Sequence, residues 1–296
     1  MKILITGSMG FVGSHMMTVL KDRGHEIFGM DIKVGSDAAN INYVQQIITQ
    51  LFPAPDLVLH LASTCSTVRG ITVPAEAFKN NVLSVFSMLE ACRQLGIPNF
   101  MFLSSCKVTP GDDGKQTPYG ATKVMCEEWI KTCKDTYGIN YIINRPGTIY
   151  GQGQDGSSES GWVAWFLKAN NYGLPITIFG DGEQVRDVLH IDDMVALLVD
   201  QIENFDKYKN NTYDVGGGLK NALKVIDLVN FLGHESITFA EKRLGDASSY
   251  IADNTKVSIV NSWEPRVYWK DGIRMLLDSA KKHNDKGNDG RTKGSD

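Results

Sequence analysis

The sequence predicts an α/β fold: a doubly wound parallel sheet with a smaller α/β lobe beside it. Three observations lead there. Strand-length apolar runs alternate with helix-length amphipathic stretches through the first half of the chain. A glycine-rich turn, GSMGFVG at 7–13, joins the first strand to the first helix. After Gly151 the alternation gives way to the loop GQGQDGSSESG and to shorter elements.

In order, KILIT (2–6) reads as a strand and Phe11 to Arg23 as a helix. HEIFGM (25–30) is a second strand ending at Asp31, and 41–52 a short helix. DLVLHLA (56–62) is the third strand. A long helix covers 75–95, with Val82, Val85, Phe86, Leu89 and Cys92 at helical spacing. NFMFLSS (99–105) is a strand, 119–137 a helix and NYIINR (140–145) a strand. Strands and helices in alternation imply a parallel sheet covered on both faces. Beyond the loop at 151–161, WVAWFLKANN is a helix, ITIF (176–179) a strand, 191–203 a helix and NTYDV (211–215) a strand. Residues 222–232 and 266–282 read as helices. The expected organisation is a dinucleotide-binding domain from 1–150 with roughly 181–217. A second lobe takes 151–180 and 218–282, and 283–296 is a polar tail without structure.

The 296 residues suffice for a sizeable core. A net charge of −4 argues against a nucleic-acid or anionic-membrane binder. No apolar run has the length of a membrane span. MKILITGSMGFVG has one basic residue and a strand-length apolar run broken by glycines, so it reads as a buried strand rather than a signal peptide. Cys65, Cys92, Cys106, Cys126 and Cys133 are odd in number and lack metal-ligand spacing. Reduced thiols, a cytoplasmic location and no metal are the expectation.

Gly7, Gly10 and Gly13 form G-x-x-G-x-x-G between strand and helix. Such glycines let the backbone approach a pyrophosphate, and the helix start offers free N–H groups. Asp31 ends the next strand, 18 residues beyond Gly13, where a carboxylate can bind a ribose hydroxyl pair. A carboxylate there repels a 2′-phosphate, so NAD is expected over NADP. Asp37 either contacts the adenine amino group or caps the next helix at Ser36 or Asp37; both readings stand.

Tyr119 and Lys123 are one helical turn apart, on one face, just after the strand that ends at Ser105. A tyrosine with pKa of about 10 is a poor base at neutral pH. An ammonium beside it, with a nicotinamide cation, would lower that pKa. Ser105 stands where open α/β sheets place ligands. The three groups suit removal of an alcohol proton while hydride leaves the same carbon.

Taken together, ITGSMGFVGSH, Asp31, HLAS (60–63), NV (81–82), FLSS, PYGATK and RPGTIYG (145–151) resemble the extended short-chain dehydrogenase/reductases. Within them, the chain is similar to the NAD-dependent sugar-nucleotide epimerase/dehydratase group, over nearly all of its length to about residue 280. The resemblance implies a Rossmann domain and an enzyme. By position it implies Ser105, Tyr119 and Lys123 as the catalytic set, and Gly7, Gly10, Phe11, Val12, Gly13, Asp31, Asp37, Leu61, Ala62, Asn81, Tyr119 and Lys123 as NAD contacts. Asn81 has a second reading, as a buried brace for a neighbouring loop. The resemblance further implies a nucleotide-sugar substrate held by Thr148, Arg186 and Arg243, and a homodimer or higher homo-oligomer paired through helices 75–95 and 119–137. Two guanidiniums can clamp a pyrophosphate; an ion pair with Asp187 or Asp246 is the other reading of these arginines.

GWVAWF (161–166) with QVRDVLHIDD resembles the branch that oxidises C2 of a CDP-linked dideoxyhexose and returns the hydride to the opposite face. The alternatives are a UDP-sugar 4-epimerase, a 4-keto-sugar reductase and a non-catalytic NAD-binding protein. Dehydratases of the group follow the catalytic Ser/Thr with Asp-Glu; here Cys106 and Lys107 stand there, which argues against dehydration. The segments after Asp31 and Ser105 are shorter than in the pattern. Trp162 and Trp165 either line the pocket or pack in the core. His60 reads as a packed core histidine and His190 as an anchor at the lobe junction.

Overall fold

A computed structural model describes residues 1–51 and 53–289. Its first half contains β1 Lys2–Thr6, α1 Phe11–Asp22, β2 Glu26–Met30, α2 Ile41–Gln50, β3 Leu57–His60, α3 Thr67–Thr72, α4 Pro74–Ala77, α5 Ser84–Leu95, β4 Asn99–Leu103, α6 Pro118–Tyr137 and β5 Asn140–Pro146. The second half adds β6 Thr148–Tyr150, α7 Trp162–Tyr172, β7 Ile176–Phe179, β8 Val185–His190, α8 Ile191–Glu203, α9 Phe205–Tyr208 and β9 Asn211–Val215. It ends with β10 Ala222–Lys224, α10 Val225–Leu232, β11 Ile237–Ala240, β12 Ser249–Tyr250, α11 Thr255–Asn261 and α12 Trp269–Asp289.

Six parallel strands form the main sheet in the order β2-β1-β3-β4-β5-β9. Their side chains alternate between two cores. Ile3, Ile5, Leu57, Leu59, Met101 and Ile142 pack against α1 and α8. Leu4, Val58, Phe100, Phe102 and Ile143 pack against α2, α5 and α6. The strand order reverses beside β1, and a crevice opens there past the carboxyl ends of β1 and β3.

A second sheet is built around β8, which pairs with β10, β12 and β6. Strand β7 pairs with β11. Their apolar faces join α7, α10 and α12 in a third core. Helix α12 is pinned at its start: Val267 donates its N–H to Asp193 Oδ2 at 3.0 Å and Trp269 donates to Asn221 Oδ1 at 2.8 Å. A Cβ at Gly272 would stand 2.1 Å from the Tyr150 hydroxyl, so α12 lies directly on β6.

Helix α6 is tied to the sheet by a buried carboxylate. Glu127, 2 % exposed, accepts from Ser104 Oγ at 2.6 Å and from Arg145 Nε and Nη2 at 2.9 and 2.6 Å. Where β8 meets the main sheet, Asp187 is fully buried and its Oδ2 accepts from Ala252 and Gly218 N–H groups at 2.9 and 3.3 Å. Its Oδ1 has no hydrogen-bond partner. Burial pushes this carboxyl up to about 6, against the pull of those N–H groups and of Arg186.

Several elements differ from expectation. Residues 222–224 are a strand, not the start of a helix, because they pair with Val185–Asp187. The final helix begins at Trp269, not 266, and continues to Asp289, so 283–289 are helical; the rest of the expected tail lies outside the described residues. Thr148–Tyr150 and Val185–His190, assigned to the first domain, build the second sheet instead. The 75–95 helix has a π turn at Phe78–Leu83. Asn40, not Ser36 or Asp37, caps α2.

Two outcomes follow. Glu127→Ala leaves the Arg145 guanidinium without its carboxylate and should cost about 3 kcal/mol of unfolding free energy in urea titrations; an unchanged midpoint would show that the pair does not hold α6. Asp187 has a folded pKa above its unfolded one, so its stabilising contribution is complete below the unfolded value and is lost as pH rises toward 6. The thermal midpoint of the native protein should therefore gain on that of Asp187→Asn as pH falls from about 7 to about 4. A constant gap between the two would contradict the raised pKa.

Candidate active site

The glycine turn is built as a cradle. Gly7 has φ +66, and a Cβ on it would come within 2.8 Å of the Ala62 nitrogen. A Cβ on Gly13 would stand 2.0 Å from the Gly7 carbonyl oxygen. Helix α1 starts from Gly10 with no side chain capping it. Its first amides therefore face the crevice without a protein side-chain acceptor, the arrangement that takes a pyrophosphate. Asp31 is buried, and its carboxylate is fixed by N–H donors from Met9 and Lys33, both at 2.9 Å.

These groups line a cavity of about 690 Å³ that also includes Phe11, Val12, Asp37, Leu61, Ala62, Ser105, Tyr119 and Lys123. Asp37 pairs with Lys79 at 2.9 Å at its rim. Asn81 is placed elsewhere. It is 1 % exposed, accepts from Thr64 N–H at 2.8 Å and Ser63 Oγ at 3.0 Å, and donates to Thr122 Oγ1 at 2.9 Å. It braces the loop after β3 against α6, while its neighbours Asn80 and Ser84 reach the cavity wall. These contacts are those of a brace.

Pro118 opens α6 and Thr117 caps it, its Oγ1 accepting from Gly120 N–H at 3.1 Å. This sets Tyr119 in the first turn, 6 % exposed, and Lys123 one turn on, 1 % exposed. The Lys123 ammonium donates to the Leu103 carbonyl at 3.0 Å and lies 4.7 Å from the Phe102 ring centroid and 5.9 Å from that of Tyr119. Ser105 Oγ accepts from Lys107 N–H at 3.1 Å. Of the two serines, Ser104 is turned to Glu127 and Ser105 to the phenol.

The expected depression of the phenol's pKa is not what the side chains impose. Burial drives Tyr119 well above its usual range, with Ser105 pulling the other way. Burial also lowers Lys123. The spacing of Tyr119 and Lys123 conveys their shared face but not their loss of water. His60 is a packed core histidine: it bonds Thr6 Oγ1 at 3.0 Å and Ser84 Oγ at 3.2 Å, and burial with the Lys123 charge lowers it to about 3. His190 caps α8 and meets Tyr150 edge-on, anchoring the junction as expected.

A second cavity, about 530 Å³, adjoins the first. Both Arg186 and Arg243 line it. Arg186 donates to the Val185 and Ala247 carbonyls, each at 2.7 Å, and to Asp246 Oδ1 at 3.2 Å. The Arg243 guanidinium stacks 3.7 Å from the Phe179 ring centroid. Its burial outweighs the carboxylates nearby and lowers its pKa. The partner of Arg186 is thus Asp246, not the adjacent Asp187. Thr148, Cys106, Lys107 and Trp162 are common to both cavities. Trp162 donates its indole N–H to Thr148 Oγ1 at 3.4 Å and packs on Phe166, so it lines the pocket and joins the third core at once. Lys107 pairs with Asp246 at 3.1 Å on the wall between the cavities, a contact that the sequence reading did not anticipate. The signal was present in Lys107, two residues past Ser105, and was read only as a missing acid.

Among the described residues, no group of three His, Cys, Asp or Glu side chains comes together to hold a metal, and no helix is long and apolar enough to cross a membrane.

Comparison with known proteins follows the same line. The model of the NAD dependent epimerase/dehydratase family matches residues 3–216. CDP-paratose 2-epimerase of Salmonella typhi is 28 % identical, over 94 % of this chain and 98 % of its own. UDP-glucose 4-epimerase of Mycolicibacterium smegmatis is 27 % identical, over 94 % and 98 %. Among solved structures, UDP-glucose 4-epimerase of Thermotoga maritima with UDP-glucose superposes with TM-score 0.84 at 26 % identity, covering 96 % of this chain and all (100 %) of that one. The Thermus thermophilus UDP-glucose 4-epimerase complex with NAD gives 0.84 at 25 %, over 95 % and 99 %. A glycine cradle, a fixed Asp31 and a buried Tyr119–Lys123 pair thus occur in a chain that belongs to the NAD dependent epimerase/dehydratase family and takes NAD as its cofactor.

Proposed function

We propose that the protein is a nucleotide-sugar epimerase that oxidises one sugar hydroxyl transiently and restores it with inverted configuration. One observation carries this reading. Ser105, Tyr119 and Lys123 line the cavity that holds the glycine turn and Asp31, beside the wall it shares with the cavity of Arg186 and Arg243. A ligand held at one end by two guanidiniums reaches the phenol with its other end.

Gly7, Gly10, Gly13, Phe11 and Val12 hold the pyrophosphate of NAD, and Asp31 the adenosine ribose. Bound there, NAD would supply reversible hydride transfer and a cationic nicotinamide that favours a phenolate. Tyr119 takes the hydroxyl proton and returns it after the keto sugar has turned. Ser105 steadies the hydroxyl through that exchange. Lys123, fixed by the Leu103 carbonyl, keeps cationic charge beside the phenol. With the nucleotide clamped by Arg186 and Arg243, the sugar is free to present its other face. Cys106 and Lys107 offer no carboxylate pair for water elimination.

C2 of a CDP-linked deoxyhexose is the proposed position, supported by the likeness of the whole chain to CDP-paratose 2-epimerase. UDP-glucose 4-epimerases among the relatives favour a second reading, inversion at C4 of a UDP-sugar. The main-sheet domain acts chiefly on the dinucleotide, and the lobe around β8, with Arg186 and Arg243, on the nucleotide sugar.

Incubation with CDP- and UDP-linked hexoses, followed by proton NMR, should show inversion at one carbon with no net change in nicotinamide absorbance at about 340 nm. Net consumption of reduced cofactor would instead identify a reductase. Tyr119→Phe should lower the rate by at least about 100-fold, while retention of full activity would remove Tyr119 from the mechanism.

We also propose that the protein pairs through α5 and α6. Phe86, Val124, Met125 and Trp129 are 38–48 % exposed on these helices, and the Phe86 and Trp129 rings meet at 5.6 Å. Sedimentation velocity should show a dimer that Trp129→Glu dissociates; a native monomer would refute the pairing.

A further inference from the structure

The wall between the two cavities carries a cation with no role in the chemistry above. Lys107 Nζ lies 3.1 Å from Asp246 Oδ1, and Arg186 Nη2 lies 3.2 Å from that same oxygen. Both side chains are largely withdrawn from water, at 26 % and 13 % exposure. One carboxylate oxygen therefore collects two cationic donors within a cavity shaped for a ligand. Charge-assisted bonds of this kind are the strong ones, and two of them converging on one point mark where an anionic oxygen sits well.

Asp246 differs from Asp112 in the same lining. Asp112 is committed to the protein, accepting from Ser248 N–H and pairing with Lys242. Asp246 rides on the loop between Arg243 and Ser248 and directs its carboxylate at the two cations. A diphosphate brings at least twice its charge to the same spot, and Coulomb attraction scales with that charge.

Resting on the nucleotide-sugar reading, we propose that Lys107 is a diphosphate-binding residue. Together with Arg186 it holds a non-bridging phosphate oxygen at the position of Asp246 Oδ1, and Asp246 is the internal anion that the diphosphate displaces. Asp246 offsets one of the two cationic charges and occupies their meeting point until a ligand with more charge arrives. A nucleoside without phosphate does not dislodge it. Because the Lys107 backbone N–H bonds Ser105 Oγ, the same residue links the diphosphate end of the ligand to the reacting end.

Titration calorimetry with UDP, CDP and inorganic pyrophosphate, at low and high salt, tests this on the native protein and on Lys107→Gln, Lys107→Arg, Asp246→Asn and Arg186→Gln. Thermal midpoints are recorded for each, so that loss of fold is seen. Lys107→Gln should weaken diphosphate binding at least about tenfold and flatten its salt dependence. Lys107→Arg should keep most of the affinity. Asp246→Asn should tighten binding about fivefold. The proposal is overturned if Lys107→Gln binds like the native protein, or if Asp246→Asn weakens binding as much as Lys107→Gln does, since Asp246 would then be scaffold rather than competitor. If Arg186→Gln weakens binding and Lys107→Gln does not, the assignment of Lys107 falls alone. If the native protein binds neither UDP nor CDP, the nucleotide-sugar reading falls with it.

Discussion

A lysine ammonium almost wholly removed from water governs the geometry of this molecule. Burying Lys123 costs free energy unless the charge is met by a fixed partner. The partner is the Leu103 carbonyl at the end of β4, with the Phe102 ring beneath. For that contact to exist, α6 must lie against the carboxyl edge of the sheet in one register. Glu127 enforces it one turn further along, gripping Ser104 and Arg145 from neighbouring strands. Tyr119 has no freedom of its own: the Thr117 cap and the Lys123 anchor fix the turn between them. The position of the phenol is thus set by its neighbours on the helix and by the strand end beneath it.

The two cavities divide the work by chemistry. The first recognises its ligand through backbone, with glycines clearing space and helix amides offering donors, and adds one carboxylate. The second uses side-chain cations and aromatic faces, with Arg186, Arg243, Phe179 and Trp162 on its walls. Backbone recognition suits a cofactor whose shape never changes. The relatives include both a CDP-paratose 2-epimerase and a UDP-glucose 4-epimerase.

Legibility in the sequence tracked locality. The glycine turn, Asp31 and the main-sheet strands were readable because each depends on residues a few positions apart, and the period-2 and period-3.6 patterns are strong there. Strands β6, β10 and β12 escaped because they are two or three residues long and exist only through pairing with β8. The same pairing turned 222–224 from expected helix into strand. Asp246 and Asp187 were both open as ion-pair partners of Arg186, and with Asp246 60 residues away no local pattern could choose between them. Asn81 sat in the right helix, yet a π turn and three partners direct it into a brace. Spacing showed that Tyr119 and Lys123 share a face but not that both are withdrawn from water.

The way α12 rests on Tyr150 has a consequence for how the protein is made. A ribosome delivers the glycine turn first and the sheet's last strand, β9, by Val215. Every residue lining the first cavity precedes that point, the last of them being Trp162. The other chamber has no roofed third core until Trp269 and Ile273 emerge. The chain thus completes the lining of the first cavity before the core that backs the second.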